Sequence, residues 1–527
     1  MKLTERKSVR YGGASVGLTV AVIAVVVALN MIVSGLFSIW GKNLDMTAEN
    51  LFELSEESVT LLSDRNVAEN QVTIYFMADR DQLDQTASSA NFYGDTTLWG
   101  MKYIVELAES LAEELPFIKV EFINPSSEPG KIKAIVGEEY YESHSFSSGS
   151  VLIDNYTPER DSKGNVLMGG DGKPMNYWHR FRAYSRDSFY GFNAADYSVL
   201  SFKGEYRFVS AILAITQTVT PKAYFITGHG EPVGAYSLNE EGTDNYGDAM
   251  YLWNFLRDCG YDIRKIDLQY EEFDNDENAV AIIYGPQTDY TSSANSEGAG
   301  EIGKLKAFVE QPGHSLITML NPGVRELPAL EGFINEVGGV DYLNAKLRDS
   351  GDAAVTVDGY SLVGVRGQGS DLLSRAMQSV NADEKVIFRN TRPMRITDSS
   401  KASAVFTVPT SASPDLAEAD EVTDGDALIA FSRLSENSYL IAMGTTMLPY
   451  VTYTEQPEYA NREVITAAMS ILSGEDTAYA IAEKVIPNES LNLTTKQATQ
   501  WTVILAVTLP SVITILGLVV NVRRRYS

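Results

Sequence analysis

Two uncharged stretches, one near each end, constrain this chain more than anything between them. Between Arg10 and Lys42 lie 31 residues without a charged side chain, with GLTVAVIAVVVALNMIVSGLFSIW as their apolar heart. Between Lys496 and Arg523 lie another 26, including WTVILAVTLPSVITILGLVV. A helix needs about 20 such residues to cross the hydrocarbon of a bilayer, so both runs read as spans. A cleaved signal peptide is the alternative for the first, but its apolar part exceeds the usual ~7–15 residues and no small-x-small cleavage site follows Trp40. Lys2, Arg6, Lys7 and Arg10 precede the first run, and Arg523, Arg524 and Arg525 follow the second. Basic flanks of this kind place both tails in the cytoplasm. The expectation is a membrane protein with cytoplasmic tails at 1–11 and 523–527, spans at 12–41 and 501–522, and residues 42–500 on the outer side.

Charge sharpens that picture. The chain carries −28, and the two tails contribute +3 each, which leaves −34 for Gly12 to Val520. Nucleic acids and anionic headgroups are bound by clustered Lys and Arg, so a surface this acidic argues against both. The single cysteine, Cys259, cannot form an internal disulfide; in LRDCGYD it reads as a small buried residue on the last turn of a helix that Gly260 stops. At 527 residues the chain also exceeds what one core serves, so at least two globular units are expected.

The first unit, 71–220, follows a connector at 42–70 whose helix has Ser55 as N-cap and Glu56 and Glu57 in the first turn. QVTIYFMA reads as a buried strand. LWGMKYIVELAESLAEEL places Leu98, Met101, Ile104, Val105, Leu107, Ala108 and Leu111 on one helical face, and IKVEFIN reads as a second strand parallel to the first. SVLIDN and YWHRFRAYSR flank a Gly-, Asp- and Lys-rich tip and read as a hairpin, and YRFVSAILAITQ closes the unit as a helix before Pro221. The second unit, 221–475, alternates strand and helix: AYFIT, DAMYLWNFLRDCG, YDIRKIDL, AVAIIYG, GEIGKLKAFVEQ, HSLITML, LPALEGFINEVGG. Such alternation implies an open parallel sheet covered on both faces, with residues 340–426 as an insertion or elaborated edge and 476–500 as a connector.

The candidate chemistry centres on Gly228, His229, Gly230 and Glu231, where strand AYFIT ends. In open parallel sheets ligands bind beyond the carboxyl ends of the strands, which is where this turn lies. As a dinucleotide fingerprint, Gly228, Gly230 and Gly234 are too loosely spaced, Glu231 would repel a pyrophosphate and Pro232 removes a donor. As a hydrolase site, His229 lacks a nucleophile on a strand-to-helix elbow. His144, His179, His229 and His314 show no ligand-pair spacing, and the run Asp274, Asp276, Asn278 lacks the glycine and terminal glutamate of a calcium loop, so no metal is expected. Either the loop is a conformational turn or it contacts a ligand. LNPG ends a later strand in a similar position, which adds Asn321 as a candidate contact and makes one shared crevice the expectation for the two loops.

As an ordered set, LDMTAENLFELSEESVTLL, QVTIYF, PKAYFITGHGEP, NREVITAAMSILSG and LTTKQATQWTVILAVTLPSVITILGLVVNVRRR, with the N-terminal apolar run, resembles the auxiliary membrane proteins of bacterial ABC transport systems related to the gliding-motility component GldG. The resemblance implies an α/β protein: two transmembrane helices flanking a small α/β domain and a larger one similar to class I glutamine amidotransferases but without their catalytic Cys. It also implies placement in the bacterial cytoplasmic membrane, no enzymatic activity, no cofactor, and work beside a separate permease and ATPase, with the bilayer contacted through the two spans. No G-x-x-x-x-G-K-[ST] motif occurs, so any ATP hydrolysis belongs to another polypeptide. A surface hydrolase using the GHGE loop, and a receptor or scaffold unrelated to transport, are the rival readings.

Overall fold

AVAIIY, residues 279–284, has no polar side chain to present to water except a tyrosine hydroxyl, and a strand of that composition is stable only when covered on both faces. The computed structural model places it so: all six residues are buried. The structure describes residues 53–63, 70–86, 100–161, 163–192, 199–234, 247–274, 276–292, 300–323, 326–351, 354–380, 383–416, 419–456, 458–473, 481 and 484–486.

In the first unit, strands β1 (Val72–Phe76) and β2 (Ile118–Phe122) are parallel neighbours, with Val72 opposite Ile118. Helix α2 (Met101–Glu114) connects them and buries Met101, Ile104, Val105, Leu107, Ala108 and Leu111, the face its spacing predicts; Leu98 lies outside the described residues. The hairpin strands β3 (Ser150–Pro158) and β4 (Tyr177–Ser185) complete a four-stranded sheet in the order β2-β1-β3-β4, β3 running antiparallel to β1. Helix α1 (Glu56–Ser63) is capped as expected, the Ser55 hydroxyl accepting from the Ser58 amide at 3.1 Å. Within the stretch 476–500, Lys484–Val485 pairs antiparallel with Val199–Phe202, so the chain returns to the first unit.

The second unit is built on strands β5 (Lys222–Thr227), β6 (Asp262–Asp267), β7 (Ala279–Tyr284), β8 (His314–Met319) and, far later in sequence, β13 (Ser438–Met443). Each is parallel to its neighbours, in the spatial order β6-β5-β7-β8-β13. Read by chain order that is 2-1-3-4-5, a doubly wound arrangement whose direction reverses between β5 and β7. Helices α4 (Met250–Asp258) and α7 (Asn461–Leu472) cover one face, over Phe225, Ile282, Ile317 and Ile441. Helices α5 (Glu301–Val309) and α6 (Pro328–Gly338) cover the other, over Tyr224, Ile226, Ile283, Leu316 and Leu440.

The sheet is mixed, which corrects the expected open parallel sheet. Strands β9 (Val340–Tyr342), β10 (Met394–Ile396), β11 (Ala402–Thr407) and β12 (Ala427–Ser435) extend it antiparallel beyond β13, and Val365–Arg366 adds to β11. The segment 340–426 is thus in part an antiparallel continuation of the same sheet. Its first strands are short, three residues in β9 and β10, too few to carry an alternating apolar pattern.

The expected fold class also required two transmembrane helices, and with them a place in the bacterial cytoplasmic membrane with both termini cytoplasmic and residues 42–500 outside. That expectation is corrected: among the described residues no helix is long and apolar enough to cross a membrane. The longest, α2, has 14 residues. At 1.5 Å per residue a helix of this length rises about 21 Å, against a hydrocarbon core of about 30 Å. It also carries Lys102, Glu106, Glu109, Glu113 and Glu114. The apolar runs 12–41 and 501–522, on which the expectation stood, lie outside the described residues.

The two units meet through helix α3 (Gly204–Thr216), whose Arg207 pairs with Asp258 at the end of α4. Gln217 donates to the Cys259 carbonyl at 3.1 Å, and Arg182 of β4 donates to the Arg257 carbonyl at 3.2 Å. Burial works against the Arg207 charge, but Asp258 outweighs it and holds the guanidinium above its ordinary range.

Candidate functional site

Strand β5 delivers its chain to the point where the strand order reverses, and the turn Gly228-His229-Gly230-Glu231 begins there. Gly228 and Gly230 have φ of 113° and 78°, in the left-handed region. A Cβ on Gly230 would lie 3.1 Å from Gln287 Cβ, so glycine is needed for both the backbone angle and the close approach.

The loop that follows β7 meets this turn residue by residue. Gln287 and Thr288 donate their backbone N–H groups to the His229 carbonyl at 2.7 and 3.1 Å. Asp289 caps α6, accepting from the Ala329 and Leu330 amides at 2.8 and 3.1 Å. The Tyr290 ring stacks on the His229 imidazole, centroids 3.8 Å apart, and its hydroxyl donates to Glu231 at 3.0 Å. Thr291 donates its amide and its hydroxyl to Glu301, at 2.8 and 2.9 Å.

His229 is therefore held between two carboxylates. Its Nε2 lies 3.1 and 3.2 Å from the Glu301 oxygens, and its own amide donates to Glu231 Oε2 at 2.8 Å; its Nδ1 lies 3.5 Å from Glu231 Oε1 and makes no hydrogen bond among the described residues. Only 3% of the histidine is exposed. Burial by itself lowers an imidazole pKa, but the bonds to Glu231 and Glu301 outweigh it and raise His229 to about 9. Burial likewise pushes the Glu301 carboxyl up, and the His229 bond with the Thr291 donors reverses this and holds it below its ordinary value. The Tyr290 phenol is pushed far up by burial, then by Glu231.

At neutral pH this is an imidazolium with neutralising partners, and only about one histidine in a hundred is free to take a proton. The hydroxyls in the network, of Tyr290 and Thr291, both donate to carboxylates. Cys259 is on the opposite edge of the sheet, three residues before the strand start at Asp262, which pairs with Lys222, the first residue of β5. The remaining histidines are scattered: His144 stacks on Tyr140, His179 bonds Asp154, and His314 bonds the Asp276 carbonyl at the start of β8. Among the described residues no group of three or more His, Cys, Asp or Glu side chains is arranged to hold a metal ion.

Asn321, the fifth sequence candidate, follows β8. Its side chain accepts from the Thr446 amide at 2.9 Å and donates to the Thr446 hydroxyl at 3.0 Å, joining the loops after β8 and β13. The GHGE turn adjoins this pair: a Cβ on Gly285 would lie 3.0 Å from Thr446 Cγ2, 3.4 Å from Asn321 Nδ2 and 3.5 Å from Pro232 Cδ. Sequence reasoning missed Tyr290 and Glu301, which complete the histidine clamp from 61 and 72 residues away. The only local signal was Glu301 in the first turn of a helix, a position that the helix dipole alone explains.

No protein-family model matches this chain, and no curated protein does. Among solved structures it is similar to the mmIFT52 N-terminal domain, at 14% identity and a TM-score of 0.35, over 48% of this chain and 98% of that one. It is similar also to a cytoplasmic protein, STM1381, of Salmonella typhimurium LT2, at 14% identity and 0.28, over 48% and 98% of the two chains. A third is an exo-beta-1,4-mannosidase from Opitutaceae bacterium strain TAV5, at 10% identity and 0.25, over 69% and 47%.

Proposed function

We propose that this chain is a non-enzymatic accessory subunit of an ABC transport system, its α/β body binding substrate or a partner protein while a separate permease and ATPase perform translocation. The observation that supports the non-catalytic part is the consumption of the GHGE group by its own surroundings. His229 is stacked and buried, its carbonyl takes two backbone amides, and Glu301 and Glu231 lie 3.1 and 3.5 Å from its ring nitrogens. A general base works best with a pKa near the working pH, and a pKa raised to about 9 weighs against that role for His229. The link to transport is supported by the ordered set of segments that resembles the auxiliary family.

Affinity isolation of the tagged chain from its own cells under mild extraction tests the reading. Recovery of a permease and an ATPase in constant ratio is expected. Their consistent absence, or a hydrolytic activity of the purified chain that disappears in His229→Gln, overturns it.

A further inference from the structure

Beside the closed GHGE network lies an open cavity of about 360 Å³, lined by Asp248, Asn321, Pro322, Lys346, Asn390, Thr446, Met447 and Tyr450. It falls at the lower end of the range that small-molecule sites occupy, roughly 300–1,000 Å³. Separate loops supply it. Asp248 precedes α4, Asn321 follows β8, Lys346 follows β9, and Thr446 follows β13. The cavity therefore stands at the carboxyl ends of β8 and β13, the edge of a doubly wound sheet that holds ligands.

Its walls are fixed from below. The buried Tyr284 hydroxyl shares its one proton between the Asp248 and Thr446 carbonyls, at 3.2 and 3.0 Å, and the Asn321–Thr446 pair joins the remaining side. Asn390 has φ of 45°, a left-handed backbone that is unusual for a residue other than glycine, and its amide approaches Met447 Sδ at 3.7 Å. Tyr450 presents a ring braced by Tyr251, centroids 4.6 Å apart.

The charges select the ligand. Asp248 and Lys346, of opposite sign, both line this cavity, and neither makes an ion pair among the described residues. The Lys346 ammonium is instead steadied over the Tyr360 ring, 3.8 Å from its centroid, which leaves its hydrogen-bond donors for another acceptor. Asp248 is exposed and Lys346 half-buried, so a neutral polyol would engage the amides and gain nothing from either charge. A simple anion or cation would answer one and be repelled by the other. We infer that this cavity binds a small zwitterion, a free amino acid or a very short peptide, with its carboxylate on Lys346, its ammonium on Asp248 and its remaining atoms against Asn390 and Tyr450. This goes beyond the transport proposal and does not depend on it, because the purified chain alone tests it.

Calorimetric titration of the purified full chain with the common free L-amino acids and with glycylglycine, at up to millimolar concentration, should find at least one ligand. Its N-acetyl and carboxamide derivatives, each lacking one charge, should bind about tenfold more weakly or worse. Lys346→Gln should weaken the zwitterion and abolish the penalty for the carboxamide; Asp248→Asn should do the same for the N-acetyl derivative. Circular dichroism and thermal unfolding check that the variants remain folded, and a variant that fails the check is replaced by Lys346→Met or Asp248→Ser. No binding by any amino acid or by glycylglycine overturns the inference, as does binding that neither charge substitution changes. Both results are independent of whether a permease co-purifies.

Discussion

His229 should stay protonated well above neutrality, and the consequence for stability can be worked out. An imidazole with an ordinary pKa of 6.5 is raised to about 9 in the fold. Each pKa unit is worth about 1.4 kcal/mol, so the interval corresponds to about 3 kcal/mol, an upper figure because the surrounding carboxylates relax. The folded pKa lies above the unfolded one, so the contribution is fully present below pH 6.5, declines between 6.5 and about 9, and is gone above that. Glu301 has the opposite sense: held below its ordinary pKa, it contributes above the carboxylate range and loses that contribution in acid. The two windows do not overlap. Because the chain has four histidines, selective labelling of the ring carbons gives a spectrum of four resonances that single substitutions assign. One should titrate near pH 9 and vanish in His229→Gln. In parallel, the denaturant midpoint of the wild type should fall toward that of His229→Gln as pH rises from 6.5 to 9.5. Titration of the His229 resonance at or below neutrality would refute the reasoning and make His229 an available base.

Three further outcomes follow from buried groups elsewhere. Burial pushes the Glu463 carboxyl up to about 7, and its Oε2 has no hydrogen-bond partner among the described residues, so wild-type stability should drop by about 3 kcal/mol between pH 4.5 and 7. Glu463→Gln should show a correspondingly smaller drop in denaturation curves at those two pH values; equal drops would refute the assignment. Arg207→Met strands the Asp258 carboxylate at the contact between the two units, with Arg257 at 3.5 Å as a partial substitute, and should cost about 3 kcal/mol, much of it recovered by adding Asp258→Leu. A loss under about 1 kcal/mol in the single variant would show the pair to be dispensable. Gly260→Ala forces φ of 86° on an alanine and brings its Cβ to 3.0 Å from Ala214 Cα, so unfolding should move to lower denaturant by at least about 1–2 kcal/mol, with faster proteolysis between the units.

Local pattern made much of the architecture readable. The strands AYFIT, AVAIIYG and HSLITML and the helices around them stand where periodicity puts them, because a buried parallel strand needs an unbroken apolar run and its covering helix an apolar stripe. Gly260 ends α4 as the LRDCGYD pattern implies, with Cys259 buried beside it. What could not be read is what depends on distant pairing. The placement of β13 beside β8 brings together residues more than a hundred positions apart, and no local rule distinguishes it from an edge. The same holds for the clamp on His229: the GHGE motif announced an imidazole and a carboxylate, while Tyr290 and Glu301, which decide its protonation, arrive by the folding of other loops. The terminal apolar runs gave the strongest reading from sequence, and the described helices, none long or apolar enough to cross a membrane, do not sustain it.

A sheet of order 2-1-3-4-5 has one reversal point, and it commonly takes the ligand because the loops on either side diverge there and leave room. Here the reversal lies between β5 and β7, and the loops do not diverge: Gln287 and Thr288 bond the His229 carbonyl, and Tyr290 covers the imidazole. The cluster keeps a net negative charge, since one imidazolium faces both Glu231 and Glu301, and backbone and hydroxyl donors solvate the carboxylates in place of water. The ligand room is displaced along the sheet, past Gly285, to the loops after β8 and β13. The electrostatic consequence is specific. The chain as a whole carries −28, so an anionic group approaching this edge is repelled at long range and held only by a cation positioned at the site. Lys346 over Tyr360 is such a cation, and Asp248 makes the same site hospitable to the ammonium of a zwitterion, whose zero net charge escapes the long-range repulsion. Binding of a zwitterion should therefore depend only weakly on added salt, whereas a singly anionic analogue should bind better as salt rises through the physiological range, where the screening length falls from about 10 Å to about 8 Å.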